Sequence, residues 1–408
     1  MSLNGWSIKT VEACLERIAV PSAAKLQTKD YRASGKYPII DQGQAFIAGW
    51  TDDDAAVISA QLPLIVFGDH TRAFKFVDFP FVRGADGTQL LKPQGDIDPL
   101  YFYYACRAID LPSRGYNRHF TILKGKEISL APPDEQREIG RVLRRVEGGI
   151  ETQDQQVSAS TDLKRAAMRE LFTRGLKGET QKETEIGPVP QSWQRMPISA
   201  FGNVVTGTTP PTKEARNYVG GEIPFVAPGD FEHGTRIGRT EKYITQEGLA
   251  RSRPIASDAT CFVCIGSTIG KVGYATAPVC ATNQQINSVL PGANFNSQFV
   301  FYLMTFWADY VRQQASPSPV PILSKGAFEQ IKIFAPTDLE ERREIAQTLD
   351  TIDSKIDLHR QKRATLDDLF KALLHKLTTA EIRVADLDLS ALAPGGGARA
   401  APQVEAAQ

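Results

Sequence analysis

The chain has 408 residues, with 47 Lys+Arg against 47 Asp+Glu and 42% hydrophobic residues. That describes two to three ordinary soluble globular domains of roughly 150 residues each, and it lacks the strong basic excess of many nucleic-acid binders. No run approaches the ~20 apolar residues of a membrane span, and Met1-Ser2-Leu3-Asn4-Gly5-Trp6 lacks the basic and apolar regions of a secretion signal, so the expected location is cytoplasmic.

Residues 1–130 read as a strand-rich module. Short β-prone runs (Tyr37-Pro38-Ile39-Ile40, Leu64-Ile65-Val66-Phe67, Phe74-Lys75-Phe76-Val77) are broken by Gly, Asp and Pro. One helix is expected near Pro99 to Ile109. Ala131-Pro132-Pro133 marks a boundary, with Asp134 as the expected N-cap of a long helix over 131–178. Leu143, Val146, Ile150, Gln153, Val157, Ser160, Lys164, Ala167 and Leu171 alternate by three and four, the pattern of a heptad seam. A helix of roughly 40 residues is about 60 Å long.

A polar linker follows over 179–190. A second strand-rich module spans 191–335, opened by Trp193 much as Trp6 opens the first. Strands are expected at Ile223 to Val226, Thr260 to Ile265 and Lys271 to Tyr274, and a helix near Ser297 to Arg312. A second long helix fits within 336–380, with its seam at Leu349, Ile352, Ile356, His359, Arg363, Leu366, Phe370, Leu373 and Leu377. The tail 381–408 is rich in Ala, Gly and Pro from Ala391 onward and is expected to be mostly disordered.

The two halves repeat. Asp134-Glu135-Gln136-Arg137-Glu138-Ile139 aligns with Glu340-Glu341-Arg342-Arg343-Glu344-Ile345, and the same offset pairs Leu143 with Leu349 and Ile150 with Ile356. A period this long is a duplicated module, not a solenoid. The helices agree and the modules diverge, as expected of a fixed frame carrying two separately tuned surfaces in pseudo-two-fold arrangement. The polar seam residues Gln153, Ser160, Lys164, His359 and Arg363 are expected to fix helix register at some cost in stability.

Catalytic signals are missing from the pattern. There is no dinucleotide loop and no adenine-methylation motif. Gly266-Ser267-Thr268-Ile269-Gly270-Lys271 superficially resembles a phosphate loop, but the spacing is wrong and a strand is expected next. The five cysteines (Cys14, Cys106, Cys261, Cys264, Cys280) are an odd set, expected to be reduced. Cys261 and Cys264 stand three apart on an expected strand, so they face opposite sides and do not close on one metal.

The order of module, long helix, linker, module and long helix resembles the specificity subunit of a Type I restriction–modification enzyme. The matching residues are Ala131-Pro132-Pro133 with Glu135-Gln136-Arg137 entering the first helix, Leu171-Phe172-Thr173-Arg174-Gly175 leaving it, and Ile186-Gly187-Pro188-Val189-Pro190 with Trp193 opening the second half. The second helix entry, Asp338-Leu339-Glu340-Glu341-Arg342, departs from that pattern, with Glu for the expected Gln. The resemblance covers about residues 3 to 385. It implies an α+β fold whose two target recognition domains each precede a long helix, the two helices packing as an antiparallel coiled coil. It also implies a non-catalytic subunit that reads a bipartite site on double-stranded DNA, one half-site per module. Two methyltransferase subunits would carry S-adenosylmethionine and restriction subunits would use ATP and Mg, with no cofactor bound by this chain. Two other functions stand beside it: a coiled-coil adaptor that binds only proteins, which the polar loops and the resemblance oppose, and the specificity subunit of a combined nuclease–methylase system, which the sequence does not separate from the Type I reading.

Base readers need Arg, Lys, Asn, Gln, Ser and Thr on accessible loops. In the first module Ser113, Arg114, Tyr116, Asn117, Arg118 and His119 form the best segment, expected just before a strand, with Thr71, Arg72 and Lys75 near a turn between strands. In the second module Thr208, Thr209, Asn283, Gln284, Ser316, Ser318 and Lys325 are the candidates, with Arg236, Arg239 and Lys242 as phosphate contacts.

Overall fold

The computed structural model describes residues 5–18, 26–59, 61–84, 87–112, 118–232, 236–317 and 319–388. It divides into two units, one drawn from residues 1–155 and 359–408 and the other from 156–358. Each unit combines one strand-rich module with a stretch of each long helix. The expected disorder of the tail beyond Asp388 lies outside the described residues.

The first unit contains β1 (Ser7–Thr10), β2 (Tyr37–Ile40), β3 (Gly49–Thr51), β4 (Val57–Ile58), β5 (Leu64–Gly68), β6 (Phe74–Val77), β7 (Phe81–Arg83), β8 (Thr88–Leu91), α1 (Pro99–Arg107), α2 (Phe120–Lys124) and β9 (Glu127–Leu130), then α3 (Pro133–Arg174) as far as residue 155. The strands form a four-stranded sheet β3-β2-β7-β4, a three-stranded sheet β6-β5-β8 and the pair β1-β9. Leu-Ile-Val-Phe in β5 is buried throughout because this central strand has a core on each face. Ile65 and Phe67 join α1 and the long helices, while Leu64 and Val66 join Ile40, Val77 and Phe81.

α1 starts where its sequence directs. Pro99 stands at the first turn and the Asp98 carboxylate accepts from Tyr101 N at 2.8 Å. Its residues Tyr101 to Cys106 are all buried. They pack with Leu143 and Val146 of α3 and with Phe370, Leu373 and Leu377 of the second long helix. Each such side chain contributes roughly 1.5–3 kcal/mol when fully buried.

The second unit starts within α3 and adds β10 (Gln181–Lys182), β11 (Val189–Pro190), β12 (Gln194–Pro197), β13 (Gly202–Thr206), β14 (Ile223–Val226), β15 (Arg236–Ile237), β16 (Lys242–Ile244), α4 (Gln246–Ala250), β17 (Pro254–Ala256), β18 (Thr260–Val263), β19 (Val272–Ala275), β20 (Val279–Thr282), β21 (Ile286–Pro291), α5 (Ser297–Phe306), α6 (Ala308–Gln313), α7 (Lys325–Gln330), β22 (Lys332–Ala335) and α8 (Leu339–Thr378) as far as residue 358. Its sheets are β13-β21-β18-β19-β15, β16-β14-β20-β17 and β12-β22. β18 again has a core on each face. Cys261 and Val263 join one and Phe262 and Cys264 the other, so the two cysteines do point apart.

Within each unit the helix stretches run antiparallel. In the first, Gly149 lies against Leu366, and Gln153 Oε1 is 2.7 Å from His359 Nδ1. In the second, Lys164 pairs with Asp353 at 2.7 Å, and Glu341 Oε1 accepts from Leu176 N at 3.1 Å. Of the 3–4 seam, Gln153, Lys164, His359 and Leu366 take part in these contacts, and Ser160 is buried. Arg363 departs from the seam: it pairs with Asp154 at 3.3 Å on the rim, both side chains about half exposed.

Three local expectations are corrected. α3 begins at Pro133, so Asp134 lies in its first turn instead of capping it. The segment Phe120–Lys124 is the short helix α2, so Arg118 and His119 lead into a helix and not a strand. The single helix expected over 297–312 breaks at Trp307 into α5 and α6. At the second helix entry Arg342 takes the place of Gln136. Gln136 bridges Asp98 N and Ala131 O, at 2.8 and 2.7 Å. Arg342 bridges the carbonyls of Pro336 and Asn294, at 2.7 and 3.1 Å.

Candidate nucleic-acid interface

Each module is fixed to a long helix through a carboxylate with little exposure, Glu147 at 17% and Asp353 at 10% of the side chain. Tyr104 Oη on α1 donates to Glu147 at 2.8 Å, and Arg107 reaches the same carboxylate at 2.5 Å. Tyr302 Oη on α5 donates to Asp353 at 2.7 Å, where Lys164 completes the cluster. Burial pushes both phenols above the ordinary tyrosine range, and the neighbouring carboxylates push them further. Burial acts to raise Glu147, but the Arg107 charge and the hydrogen bonds from Arg107 and Tyr104 outweigh it and hold the carboxyl below its ordinary value.

In the second module several loops converge. Thr208 N donates to Thr282 O at 2.9 Å, and Thr209 Oγ1 donates to Gln284 Oε1 at 2.6 Å, so Thr208, Thr209, Asn283 and Gln284 form one surface. Cys264 N donates to Gln285 O, Leu323 N donates to Cys264 O, and Ser316 N donates to Ile322 O. The Ser316 segment therefore flanks the same strand end. The stretches 206–210, 264–271, 283–285 and 313–323 contain no Asp or Glu. A surface of hydroxyls and amides without carboxylates suits base edges beside a phosphate backbone.

Arg239 and Lys242 are exposed. Lys242 shares a row with Phe225 and Ala281, at the sheet end where Thr282 and Asn283 leave. Two strand spacings, roughly 10 Å, separate that lysine from the amide loop. Lys325 opens α7 and pairs with Glu329 at 3.5 Å.

The first module has a cleft of about 560 Å³ between its β6 strand and α3, lined in part by Arg72, Lys75, Tyr103, Arg107, Arg144 and Glu147. Most of these cations are engaged. Arg72 donates to Leu111 O at 2.6 Å and holds a left-handed φ of 61°. Thr71 Oγ1 donates to the Gln42 carbonyl.

The comparisons with known proteins agree with this architecture. Residues 190–368 match the model of the Type I restriction modification DNA specificity domain. The Type I restriction enzyme EcoR124I/EcoR124II specificity subunit of Escherichia coli is 24% identical, over 82% of this chain and 83% of that protein. The MjaIX specificity subunit of Methanocaldococcus jannaschii is 30% identical over 49% of this chain and 48% of its own length. The crystal structure of the S subunit from M. genitalium has the same fold, with a TM-score of 0.65 at 16% identity, covering 92% of this chain and 96% of that one. In sequence over most of its length, and in fold, the chain is similar to the specificity subunits of Type I restriction enzymes. Its role is that of the DNA specificity subunit of such a system.

Against that identity, the specificity subunit's candidate contacts divide. Lys75 is buried, at 4% exposure, because β6 turns Lys75 and Val77 inward while Phe74 and Phe76 take the other face. Its Nζ donates to Asp41 O and Ala45 O at 2.8 and 2.5 Å, so it ties down a loop instead of facing DNA. His119 is buried too, and its backbone N donates to Asp69 Oδ1 at 2.7 Å. Arg236 is paired with Asp350 of α8 and stacks over Tyr274, so its charge is already matched. Arg118 is exposed just before α2. Ser113, Arg114, Tyr116, Asn117 and Ser318 lie outside the described residues.

No helix of the described residues is long and apolar enough to cross a membrane. Among the described residues no group of three or more His, Cys, Asp or Glu could hold a metal ion.

Proposed function

We propose that this specificity subunit reads a split double-stranded DNA site, residues 1–130 contacting one half and residues 191–335 the other. The observation that carries the reading is the repeated anchorage of two modules whose surface loops differ. Tyr104 with Glu147 and Tyr302 with Asp353 hold each module to a helix in the same way. What varies is the loop set: the hydroxyl and amide surface around Thr209 and Gln284 in the second module, the Thr71 and Arg72 turn and the exposed Arg118 in the first.

On this reading the chain is not itself an enzyme. Methylation belongs to two methyltransferase subunits that carry S-adenosylmethionine, and cleavage to restriction subunits that use ATP and Mg. One solved structure sharing this fold, with a TM-score of 0.51 at 15% identity, is described as the structural basis of complex assembly and conformational transition of the type I R-M system. The working compartment is the cytoplasm, where the host DNA is.

The test is the methylation pattern of host DNA, mapped by single-molecule sequencing with and without this gene while its methyltransferase is expressed. A motif of two short half-sites around a fixed gap, lost on deletion, is expected. An unchanged pattern would rule the reading out.

A further inference from the structure

The β5–β6 hairpin of the first module and the β18–β19 hairpin of the second are equivalent, and the same two backbone hydrogen bonds close their tips. Gly68 N donates to Ala73 O and Arg72 N to Gly68 O, both at 2.8 Å. Val263 N donates to Lys271 O at 2.9 Å and Gly270 N to Val263 O at 3.0 Å. Between these bonds the first tip holds Asp69-His70-Thr71, and the second holds Cys264-Ile265-Gly266-Ser267-Thr268-Ile269, three residues more. Each tip rests on the stretch before its module's short helix: His119 N donates to Asp69 O at 3.0 Å, and Leu323 N to Cys264 O at 2.8 Å.

The longer tip has a defined shape. Gly266 and Gly270 hold left-handed φ of 96° and 97°, a region costly for other residues. A Cβ at Gly270 would also stand 3.0 Å from the Arg312 side chain. Ile269 is buried beneath, Gly266 N donates to Pro321 O at 3.0 Å, and Gln285 Nε2 donates to Ile265 O at 3.4 Å. Between these fixed points Ser267 is exposed and Thr268 partly so. In the first module the tip hydroxyl is used for anchorage, Thr71 Oγ1 donating to Gln42 O. In the second, the Ser267 and Thr268 hydroxyls have no hydrogen-bond partner among the described residues. They stand beside the carboxylate-free surface of Thr209, Gln284 and Ser316.

We propose that the β18–β19 tip is a base-reading element of the second module, with the Ser267 and Thr268 hydroxyls contacting base edges of one half-site. The proposal rests on the DNA-reading function above. A hydroxyl both donates and accepts, so it can meet any base edge, and a tip held by two left-handed glycines presents it without an ordering cost. The sequence pattern that superficially resembles a phosphate loop is, in the fold, this hairpin.

The experiment uses the chain assembled with its methyltransferase, with methylated sites mapped by single-molecule sequencing. Ser267→Ala/Thr268→Ala is expected to lose roughly tenfold discrimination at one or two positions of one half-site, the other half-site being kept. Ser267→Tyr is expected to lower methylation at least tenfold with the complex intact and its melting temperature unchanged. An unchanged motif and rate in both variants overturns the proposal. So does a change in both half-sites, or a lowered melting temperature, either of which makes the tip a structural part. A wild-type complex that yields no split motif overturns the underlying function, and the proposal with it, before any variant is made.

Discussion

Glu147 and Asp353 stand 206 residues apart, at equivalent turns of the two long helices, and each is the inward-facing acceptor for a tyrosine of its own module. Their cations differ in origin. Glu147 meets Arg107 of its own module and Arg144 of its own helix, whereas Asp353 on α8 meets Lys164 of α3.

Asp353 and Lys164 are 10% and 14% exposed, so removing one partner leaves a charge with little water. Asp353→Ala is expected to cost about 3 kcal/mol, while Asp353→Leu/Lys164→Met recovers most of it. Urea unfolding of both variants checks this. A single variant within about 1 kcal/mol of the wild type would mean that water reaches the pair.

The Glu147 carboxyl lies below its ordinary value in the folded state. Its contribution is therefore present above the unfolded value of about 4.3 and is lost as pH falls through the folded value. Glu147→Gln should lower stability at neutral pH and narrow its difference from wild type as pH falls below about 4. Melting curves across pH 3 to 7 measure it, and a difference that stays constant over that range refutes it.

The frame was legible because its signals are periodic. A 3–4 seam and a Pro-bounded entry announce α3 and α8 within a few residues, and Trp6 and Trp193 mark where each module opens. The candidate site was only half legible. Thr208, Thr209, Asn283 and Gln284 converge because three strand ends meet, and composition suggested them. Lys75 failed because alternation in a strand with a core on both faces does not say which face is solvent. Arg236 failed because its partner Asp350 lies 114 residues away. The β18–β19 tip was set aside because its glycines matched no motif, although glycines flanking two hydroxyls before a strand are a tight-turn signal.

The His359 and Gln153 pair, at 2.7 Å, places two polar groups between the apolar seam residues Ile150 and Ile356 and the next turns of the two helices. His359→Leu/Gln153→Leu should raise the melting temperature by several degrees, since both polar groups leave together. Arg363→Leu should shift stability by under about 1 kcal/mol, because its pair with Asp154 is exposed. A sharp fall in melting temperature for the double variant would mean that the pair stabilises the seam in addition to fixing its register.

All five thiols are buried. Burial pushes Cys261 up to about 11 and Cys264 and Cys280 up to about 12, so no nucleophilic thiolate forms at neutral pH. A disulfide reagent should label none of the five in the native chain at pH 7.5 and all five in guanidinium. Rapid native labelling would place a thiol at the surface.

Salt dependence tests how much of the binding is charge. Residues 191–335 hold 12 basic and 9 acidic side chains. Of the basic ones, Arg236 is engaged with Asp350 and Lys325 with Glu329. In the first module Lys75 is buried and Arg72 is tied to Leu111. These ties reduce the cations left for phosphates, and each neutralised phosphate steepens the salt slope by about 0.9. The isolated chain should therefore bind duplex DNA weakly, with a log–log slope shallower than about −4, and the complex with its methyltransferase should bind tightly with a steeper one. Fluorescence anisotropy from 50 to 300 mM KCl measures both. A steep slope for the chain alone would mean that its cations cluster on one face more than their ion pairs suggest.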